Sequence, residues 1–299
     1  FLELQGANSS ATVYVNNKKL ASHDGGYSTW RVDITDVLED KNLFVVEVDN
    51  SANDRVYPQN ADFTFYGGLY RDVNIIAVNN SHFDLEYYGT PGIKVTPEVV
   101  GEHAKVDVEV FVKNAKENQK LVYTIKDREG NVVAQRETTA SQKEAIFEIE
   151  NVHLWHGRKD PYLYSVEVLL KENDEILDNV STRFGCRTFK IDPELGFILN
   201  GEEYPLRGMV VWAEIPYIST HMPKGRENTI TQMKELVVQN YNHPSIVVWG
   251  LSNEITMSGD STEDLRENHV ILNDLVHEMD KTRLTTIACV SMCDMDAKL

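Results

Sequence analysis

The sequence has little positive charge. It contains 29 lysine and arginine residues against 47 aspartate and glutamate residues, which gives a formal net charge of −18 at pH 7 with histidine neutral. Sequence-independent binding to nucleic acid needs a basic footprint, and attraction to anionic lipid needs one too. This charge balance therefore argues against a nucleic-acid partner and against a membrane partner.

Long hydrophobic runs and cysteines are also scarce. No apolar stretch approaches the roughly 20 residues that a membrane-spanning helix needs, and the segment that begins at Phe1 shows no secretion-signal pattern. The three cysteines, Cys186, Cys289 and Cys293, cannot form a disulfide framework in a chain of 299 residues. This cysteine usage suits a reducing compartment or one without a redox requirement, so the compartment stays open, with a cytoplasmic location slightly favoured.

The length of 299 residues, of which 41% are hydrophobic, predicts two or three domains. Residues 1–79 alternate with period two and predict a β-sandwich. Because Phe1 is not a methionine and strand-like sequence follows at once, we expect this sandwich to be truncated at its N-terminal side. Residues 80–187 contain alternating valines at positions 106–112 and a turn at positions 129–131, and this spacing of short strands predicts an immunoglobulin-like β-sandwich.

The hydrophobic period changes in residues 188–299. Apolar runs at positions 210–215, 245–251 and 285–290 are separated by segments with helical spacing, which predicts strand, helix, strand, helix, strand. Such an order gives a parallel sheet whose strands are covered on both faces. Because a closed (β/α)8 TIM barrel takes about 250 residues, we expect a partial TIM barrel that lacks its C-terminal strands.

Two glutamates stand at the C-terminal ends of predicted parallel strands, where the active sites of such folds lie. Glu254 follows Asn253 directly at the end of the second run, and Glu214 ends the first run. A strand-end glutamate often only caps a helix or faces solvent. Trp212 and Trp249 are candidates for apolar walls against a sugar, although a tryptophan in a strand more often belongs to the core.

The segment that ends at Glu254 resembles the acid/base signature of glycoside hydrolase family 2, the family of β-galactosidases, β-glucuronidases and β-mannosidases. This resemblance rests on residues 242–254, which read Asn-His-Pro-Ser-Ile-Val-Val-Trp-Gly-Leu-Ser-Asn-Glu. Other segments follow in the family's order: residues 66–73 resemble its sugar-binding sandwich, residues 154–164 its immunoglobulin-like domain, and residues 184–187 and 197–201 the start of its barrel. The resemblance implies a jelly-roll-like sandwich, an immunoglobulin-like sandwich and a partial TIM barrel.

The resemblance also assigns roles to single residues. It implies that Glu254 is the general acid/base and that Asn253 donates to the sugar 2-hydroxyl, a contact that tightens in the oxocarbenium-like transition state. Asp62 matches a sandwich-loop aspartate that reaches the sugar subsite, although a turn-capping role is an equal alternative. Glu214 matches an acid that lines the pocket. The family's nucleophile is a second glutamate, which we expect beyond Leu299.

The sequence departs from the family pattern at two places. His221 resembles a magnesium ligand of some β-galactosidases, but Ser219 stands where those enzymes carry a companion glutamate. We therefore expect no cofactor, with Mg²⁺ as the alternative. In the family the first two barrel strands separate Gly208 from Met209, whereas here the two residues abut, so we infer a gap between positions 208 and 209.

The resemblance implies a retaining glycosidase that cleaves terminal β-linked sugars, with β-D-galactosides as the first candidate. A β-glucuronidase or another family 2 glycosidase is the alternative, although the sequence shows no paired asparagine and lysine that would grip a uronate carboxylate. Because the nucleophile is not present in the chain, a non-catalytic carbohydrate-binding fragment is an alternative from another class. The expected partner is a small carbohydrate, and a homo-oligomer is open, since loops of neighbouring subunits complete some pockets of the family.

Overall fold

The computed structural model describes residues 1–204, 210–257 and 262–289. These residues form three successive regions, two of antiparallel sheets and one that begins antiparallel and continues as alternating parallel strands and helices. Neither helix in the described ranges is long and apolar enough to cross a membrane. The predicted gap between positions 208 and 209 lies outside the described residues, and so does Cys293.

The first region is a β-sandwich, as predicted. Residues at alternate positions of its third strand, Ala11, Val13 and Val15, are buried in the core, because successive side chains of a strand point to opposite faces. The sheets run in the orders β4-β3-β6 and β5-β1-β8, with a short pair β2-β7. The strands are β1 Leu2–Leu4, β2 Ala7–Asn8, β3 Ser10–Val15, β4 Lys18–Asp24, β5 Trp30–Val32, β6 Phe44–Asp49, β7 Gly68–Leu69 and β8 Val73–Ile75.

The second region contains two larger antiparallel sheets that enclose one core. The predicted alternation is confirmed, since Val106, Val108 and Val110 are fully buried, and Gly130 with positive φ closes the predicted hairpin. The sheets run in the orders β10-β11-β15 and β14-β13-β16-β17, with a short pair β9-β12. The strands are β9 His82–Phe83, β10 Ile93–Val100, β11 His103–Val110, β12 Val112–Lys113, β13 Gln119–Lys126, β14 Val132–Thr139, β15 Glu144–Ile149, β16 Tyr164–Glu172 and β17 Glu175–Phe184.

The third region begins with an antiparallel sheet and continues as part of a TIM barrel. The parallel sheet has the order β21-β22-β23, with helices α1 and α2 in the two crossovers, which confirms the predicted alternation. Thr262 caps α2 by accepting from the backbone N–H of Leu265 at 3.1 Å. The elements are β18 Phe189–Asp192, β19 Gly196–Leu199, β20 Glu202–Glu203, β21 Val211–Glu214, α1 Arg226–Asn240, β22 Ile246–Asn253, α2 Glu263–Met279 and β23 Leu284–Ala288.

Only the middle strand of the parallel sheet is covered on both faces. Ile246, Val247 and Trp249 of β22 are buried, whereas Trp212 of β21 is 47% exposed and Leu284 of β23 is 42% exposed. The expectation that all three strands are covered is wrong for β21 and β23. The physical reason is that each of these strands is an edge of the described sheet, with one paired neighbour instead of two.

Helix α1 joins the barrel region to the first sandwich through polar side chains. The Asn228 side-chain oxygen accepts from the Tyr57 backbone N–H at 2.9 Å. The Gln239 amide accepts from the Thr29 N–H at 3.1 Å and donates to the Thr29 carbonyl at 2.8 Å. Buried amides of this kind are costly unless they are paired, so they favour a single docking geometry between the two regions.

A buried histidine and glutamate lie at the same interface. Nε2 of His23 in β4 lies 2.5 Å from Oε1 of Glu235 in α1, and the His23 ring stacks on Trp30 with ring centroids 5.0 Å apart. Glu235 is only 3% exposed. A contact between chain positions more than 200 residues apart thus ties the sandwich to the barrel region.

Candidate active site

Asn253 and Glu254 lie where the middle parallel strand ends, as the sequence predicts. The Asn253 N–H donates to the Tyr217 carbonyl at 2.9 Å, and the Asn253 carbonyl accepts from the Ser219 N–H at 3.2 Å. On the other side, the Glu254 N–H donates to the Ala288 carbonyl at 2.8 Å. The backbone of this dipeptide is therefore held by segments from both neighbouring strands.

Glu254 has an unusual backbone conformation. Its φ of 46° lies in the left-handed region, which costs a residue with a β-carbon roughly 1–2 kcal/mol. The Met257 N–H closes the turn by donating to the Glu254 carbonyl at 2.9 Å. The side chain is half-buried, and none of the described residues donates a hydrogen bond to its carboxylate. The backbone of Glu254 is thus held in place, while its carboxylate has no hydrogen-bond partner among the described residues.

Tyr217 supports the end of β22 from behind. It is fully buried, its ring packs edge-on against Tyr57 of the first sandwich at 4.9 Å, and its hydroxyl lies 2.6 Å from Nδ1 of His221. The Tyr57 hydroxyl in turn donates to the Thr220 carbonyl at 3.2 Å. A side chain of the sandwich thereby contributes to the wall that holds Asn253 in place.

His221 is engaged by protein groups at both ring nitrogens. Nδ1 meets the Tyr217 hydroxyl, and Nε2 meets the carboxylate of Asp264. The hydrogen bond from His221 and the charge of Arg226 hold the pKa of Asp264 below its usual range. Across the described ranges, no group of three or more histidine, cysteine, aspartate or glutamate side chains could hold a metal ion. The described residues around His221 therefore do not fit a Mg²⁺ site.

Glu214 lies at the end of β21, in register with Gly250 of β22. Burial raises the pKa of its carboxyl group, and the hydrogen bond that Trp212 Nε1 donates to Oε2 at 3.0 Å opposes this shift. A β-carbon added at position 250 would overlap with the side chains of Trp212 and Glu214. The absence of a side chain at Gly250 therefore leaves the space that the Trp212–Glu214 pair occupies.

The two candidate tryptophans differ in role. Trp249 is fully buried, and its Nε1 donates to Oδ2 of Asp280 at 2.8 Å, so it is a core residue and not a wall for a sugar. The expectation that Trp249 could form a wall against a sugar is therefore wrong, because Trp249 faces helices α1 and α2. Trp212, which alternates with the core-facing Ala213, keeps an exposed ring beside Glu214.

The loop of the first sandwich reaches the barrel region beside Glu214. A cavity of about 380 Å³ is lined by Glu214 together with Tyr27, Ser28 and Phe63 of the sandwich. Asp62, the predicted sugar-contacting residue, directly precedes Phe63 but is itself exposed. The structure thus brings Phe63 to Glu214, whereas Asp62, Asn253 and Glu254 are not among the lining residues of this cavity. The turn-capping alternative for Asp62 has no hydrogen bond from the described residues to support it.

Sequence reasoning did not single out Tyr27 and Ser28. The signal that could have found them is the Gly25-Gly26 pair, because adjacent glycines mark a close approach of the backbone. A β-carbon side chain at Gly26 would overlap with the side chain of Asn8, so the loop lies tightly on its own sandwich before it turns toward the cavity.

A buried network fixes the other end of β22. Oδ2 of Asp280 accepts from Trp249 Nε1 at 2.8 Å and from Arg283 Nη1 at 2.7 Å. Arg283 also donates through Nε to the Ile246 carbonyl at 2.8 Å. The strand that carries Asn253 and Glu254 is thus hydrogen-bonded to side chains at its beginning and to backbone at its end.

Three domain profiles of glycosyl hydrolases family 2 match successive parts of the chain. The sugar-binding domain matches residues 1–79, the profile described as glycosyl hydrolases family 2 matches residues 91–187, and the TIM barrel domain matches residues 193–298. Among curated proteins, a β-glucuronidase of Bacteroides fragilis is 30% identical over 362 positions, covering 96% of this chain and 52% of that protein. A β-galactosidase of Thermoanaerobacter pseudethanolicus is 25% identical, covering 95% of this chain and 45% of that protein.

Solved structures agree with these matches. An FMN-binding β-glucuronidase of F. prausnitzii L2-6 superimposes with a TM-score of 0.94 at 36% identity, covering 97% of this chain and 54% of that one. A β-galactosidase of Bacteroides fragilis, described as putative, gives 0.92 at 28% identity and covers 100% of this chain and 54% of that one. This chain therefore spans about half the length of the relatives that it matches. The chain belongs to glycosyl hydrolase family 2, with its sugar-binding, immunoglobulin-like and partial TIM barrel domains in the family's order.

Proposed function

We propose that this chain provides the acid/base half of a retaining β-glycosidase. The observation that carries the proposal is the position of Glu254 directly after Asn253 at the end of β22, with a fixed backbone and a carboxylate that no described residue occupies. The C-terminal ends of barrel strands are where catalytic groups of this fold lie. The activity of the whole protein is part of the proposal, because the chain spans only about half of its relatives.

Glu254 acts twice in the proposed reaction. In the first step its proton moves to the leaving oxygen as the bond from that oxygen to the sugar C1 breaks, and a second carboxylate forms a bond to C1. In the second step Glu254, now ionised, takes a proton from the water that attacks C1, which releases the sugar and restores both carboxyl groups. The second carboxylate is the nucleophile that a retaining mechanism requires.

Asn253 and Glu214 have supporting roles in this proposal. Asn253 donates from its amide to the sugar 2-hydroxyl, a hydrogen bond that strengthens as positive charge develops at C1. Glu214 lines the pocket with Phe63, and its raised pKa makes the carboxyl group easier to protonate near a substrate. Asp62 reaches the sugar only if its exposed side chain turns toward the cavity that Phe63 lines.

The comparisons bear on the choice of sugar. The first two curated relatives are named β-glucuronidase and putative β-glucuronidase, at 30% and 28% identity, and a β-galactosidase follows at 25%. We therefore place β-D-glucuronides first and β-D-galactosides second, which reverses the order that the sequence alone favours. Among the described residues we assign no asparagine and lysine pair that would bind a uronate carboxylate. The order of the two sugars therefore rests on the names of the relatives.

Turnover of p-nitrophenyl β-D-glucuronide and β-D-galactoside tests the proposal. The assay uses the protein that carries this sequence, and its intact mass shows whether segments beyond these 299 residues are present. We expect Glu254→Gln to lower kcat by about 10²–10⁴-fold, as removal of a general acid/base does. The matched control is Glu203→Gln, an exposed glutamate of the same region, which should leave kcat unchanged.

The non-catalytic alternative gives a different pattern. A carbohydrate-binding fragment shows no turnover of either glycoside and keeps its sugar affinity when Glu254 is changed to Gln. Turnover that persists in Glu254→Gln at the level of the control variant contradicts the role of Glu254.

A further inference from the structure

A larger cavity lies at the opposite end of the parallel strands from Glu254. Its volume is about 530 Å³, within the range typical of small-molecule sites. Its walls are strand β10 of the second sandwich, residues 184–189, and the segments that precede β22 and β23. Because these segments lie at the N-terminal ends of barrel strands, the cavity is separate from the candidate active site.

The charge on the cavity wall is positive. Arg187, Lys281 and Arg283 line it, and Glu98, exposed at the rim, is the one carboxylate among its lining residues in the described ranges. Arg283 is neutralised by Asp280 at 2.7 Å. Neither Arg187 nor Lys281 has an ion pair with a carboxylate in the part of the chain that the structure describes. This local excess of cations stands out in a chain with a net charge of −18.

Arg187 is anchored so that part of its guanidinium is free. Nε donates to the Pro244 carbonyl, Nη2 donates to the Ile246 carbonyl at 2.7 Å, and the guanidinium lies over the Phe189 ring at 4.7 Å. Nη1 has no hydrogen-bond acceptor among the described residues. Burial, together with the nearby charge of Arg283, lowers the pKa of Arg187 to about 9.

These observations indicate that Arg187 lacks a counter-ion. A cation withdrawn from water without an anionic partner is unfavourable, and the penalty is relieved when an anion binds. A guanidinium whose position is already fixed loses little conformational freedom on binding, and the N–H groups of its free Nη1 are charge-assisted donors to the oxygens of phosphate and carboxylate groups. The free Nη1 of Arg187 and the exposed ammonium of Lys281 supply the two donors that such a ligand needs.

We propose that this cavity binds a small oxyanion with two negative charges, of the phosphate or dicarboxylate class. Arg187 is the principal ligand through Nη1, and Lys281 adds a second charge at the mouth. The proposal rests on the cavity and its charges, and it is independent of the proposed glycosidase activity.

Isothermal titration of the protein with inorganic phosphate tests the site, with sodium chloride at matched ionic strength as the blank. We expect saturable binding of one phosphate per chain. Arg187→Gln should weaken it at least tenfold, and Lys281→Gln should weaken it about two- to fivefold, as expected for one exposed charge. The control Lys190→Gln removes an exposed lysine that pairs with Asp192 and does not line the cavity, so its affinity should equal that of the unchanged protein.

Several outcomes overturn the proposal. These are no heat beyond the chloride blank with either phosphate or malonate, an affinity that Lys190→Gln lowers as much as Lys281→Gln, and full affinity in a folded Arg187→Gln protein. If Arg187→Gln does not fold, Arg187→Lys with Lys281→Gln decides, because loss of the fixed Nη1 donor and of the second charge must still lower the affinity. Titration with malonate distinguishes the two ligand classes, and binding of neither phosphate nor malonate refutes both.

Discussion

Replacement of Asp280 by asparagine probes the network beneath the strand that carries Glu254. Asp280 is fully buried, and its carboxylate accepts from Trp249, from Arg283 and from the Thr282 N–H at 2.8 Å. Asparagine keeps the shape and one of the two accepting oxygens, but it replaces the other oxygen by an NH2 donor and removes the charge. The change therefore leaves the Arg283 guanidinium buried without its counter-ion.

The expected loss is large for one substitution. Breaking a buried ion pair by removing one partner costs about 3–5 kcal/mol, and because the asparagine amide also sets a donor against the donors that one carboxylate oxygen satisfied, we expect the upper end, about 5 kcal/mol. Urea unfolding followed by tryptophan fluorescence measures this loss in the barrel region. Trp249 lies within 2.8 Å of the substituted carboxylate and reports the transition directly.

The effect has a defined pH dependence. Burial alone would raise the pKa of Asp280, but the charge of Arg283 and the hydrogen bonds from Thr282 and Trp249 outweigh it and hold the pKa below its ordinary value of 3.8. A carboxyl group whose pKa is lower in the folded than in the unfolded protein contributes its full stabilisation at pH values above its unfolded-state pKa. This contribution is lost as the pH falls through its folded-state pKa. The difference between the unchanged protein and Asp280→Asn should therefore be constant from pH 7 to 5 and shrink below pH 3.8.

Asp274→Asn is the matched control, because Asp274 is an exposed aspartate on α2, the helix that ends just before Asp280. Its effect should stay within about 0.5 kcal/mol, as for most surface substitutions. A loss below about 1 kcal/mol in Asp280→Asn, equal to what one ordinary neutral hydrogen bond contributes, would refute the reasoning from a buried ion pair.

Three further predictions follow from the same contacts. Gly250→Ala forces Trp212 away from Glu214 and should destabilise the protein by about 1–3 kcal/mol. The tryptophan emission maximum should shift as well, and an unchanged spectrum contradicts the close approach at Gly250. Trp212→Phe removes the hydrogen bond that favours ionised Glu214, so the pKa of Glu214, followed by carboxyl ¹³C NMR, should rise further, and a fall would reverse our interpretation. Glu235→Ala leaves His23 buried without its partner and should lower stability by about 1–3 kcal/mol in thermal unfolding, whereas no loss would show that the pair does not hold the interface.

The strands and helices of the barrel region were predictable because their patterns are local. The apolar run at positions 245–251 corresponds to β22, Ile246–Asn253, and the segment with helical spacing that follows it corresponds to α2. Both signals depend on side chains within one turn or one strand. The strand ends, and with them the placement of Asn253 and Glu254, follow from the same local patterns.

The contacts between regions could not be predicted in this way. Asn228 and Gln232 look like surface residues of α1, yet both are buried because Tyr57, about 170 positions away, brings its backbone against them. Likewise, the sequence does not show that Trp249 is core and Trp212 is exposed, since this depends on which face of β21 and β22 the helices cover. Pairings between distant segments require the assembled fold.

The catalytic assignment of Glu254 is the central claim, and its most direct test is the dependence of kcat/KM on the leaving group, because kcat/KM reports the step in which the leaving oxygen departs. Glycosides with a p-nitrophenol leaving group need little proton donation, whereas those with phenol or an alcohol need much more. The account predicts that Glu254→Gln loses far more kcat/KM on phenyl and alkyl β-glycosides than on the p-nitrophenyl glycoside. An equal loss of kcat/KM on all three substrates would show that Glu254 does not protonate the leaving oxygen.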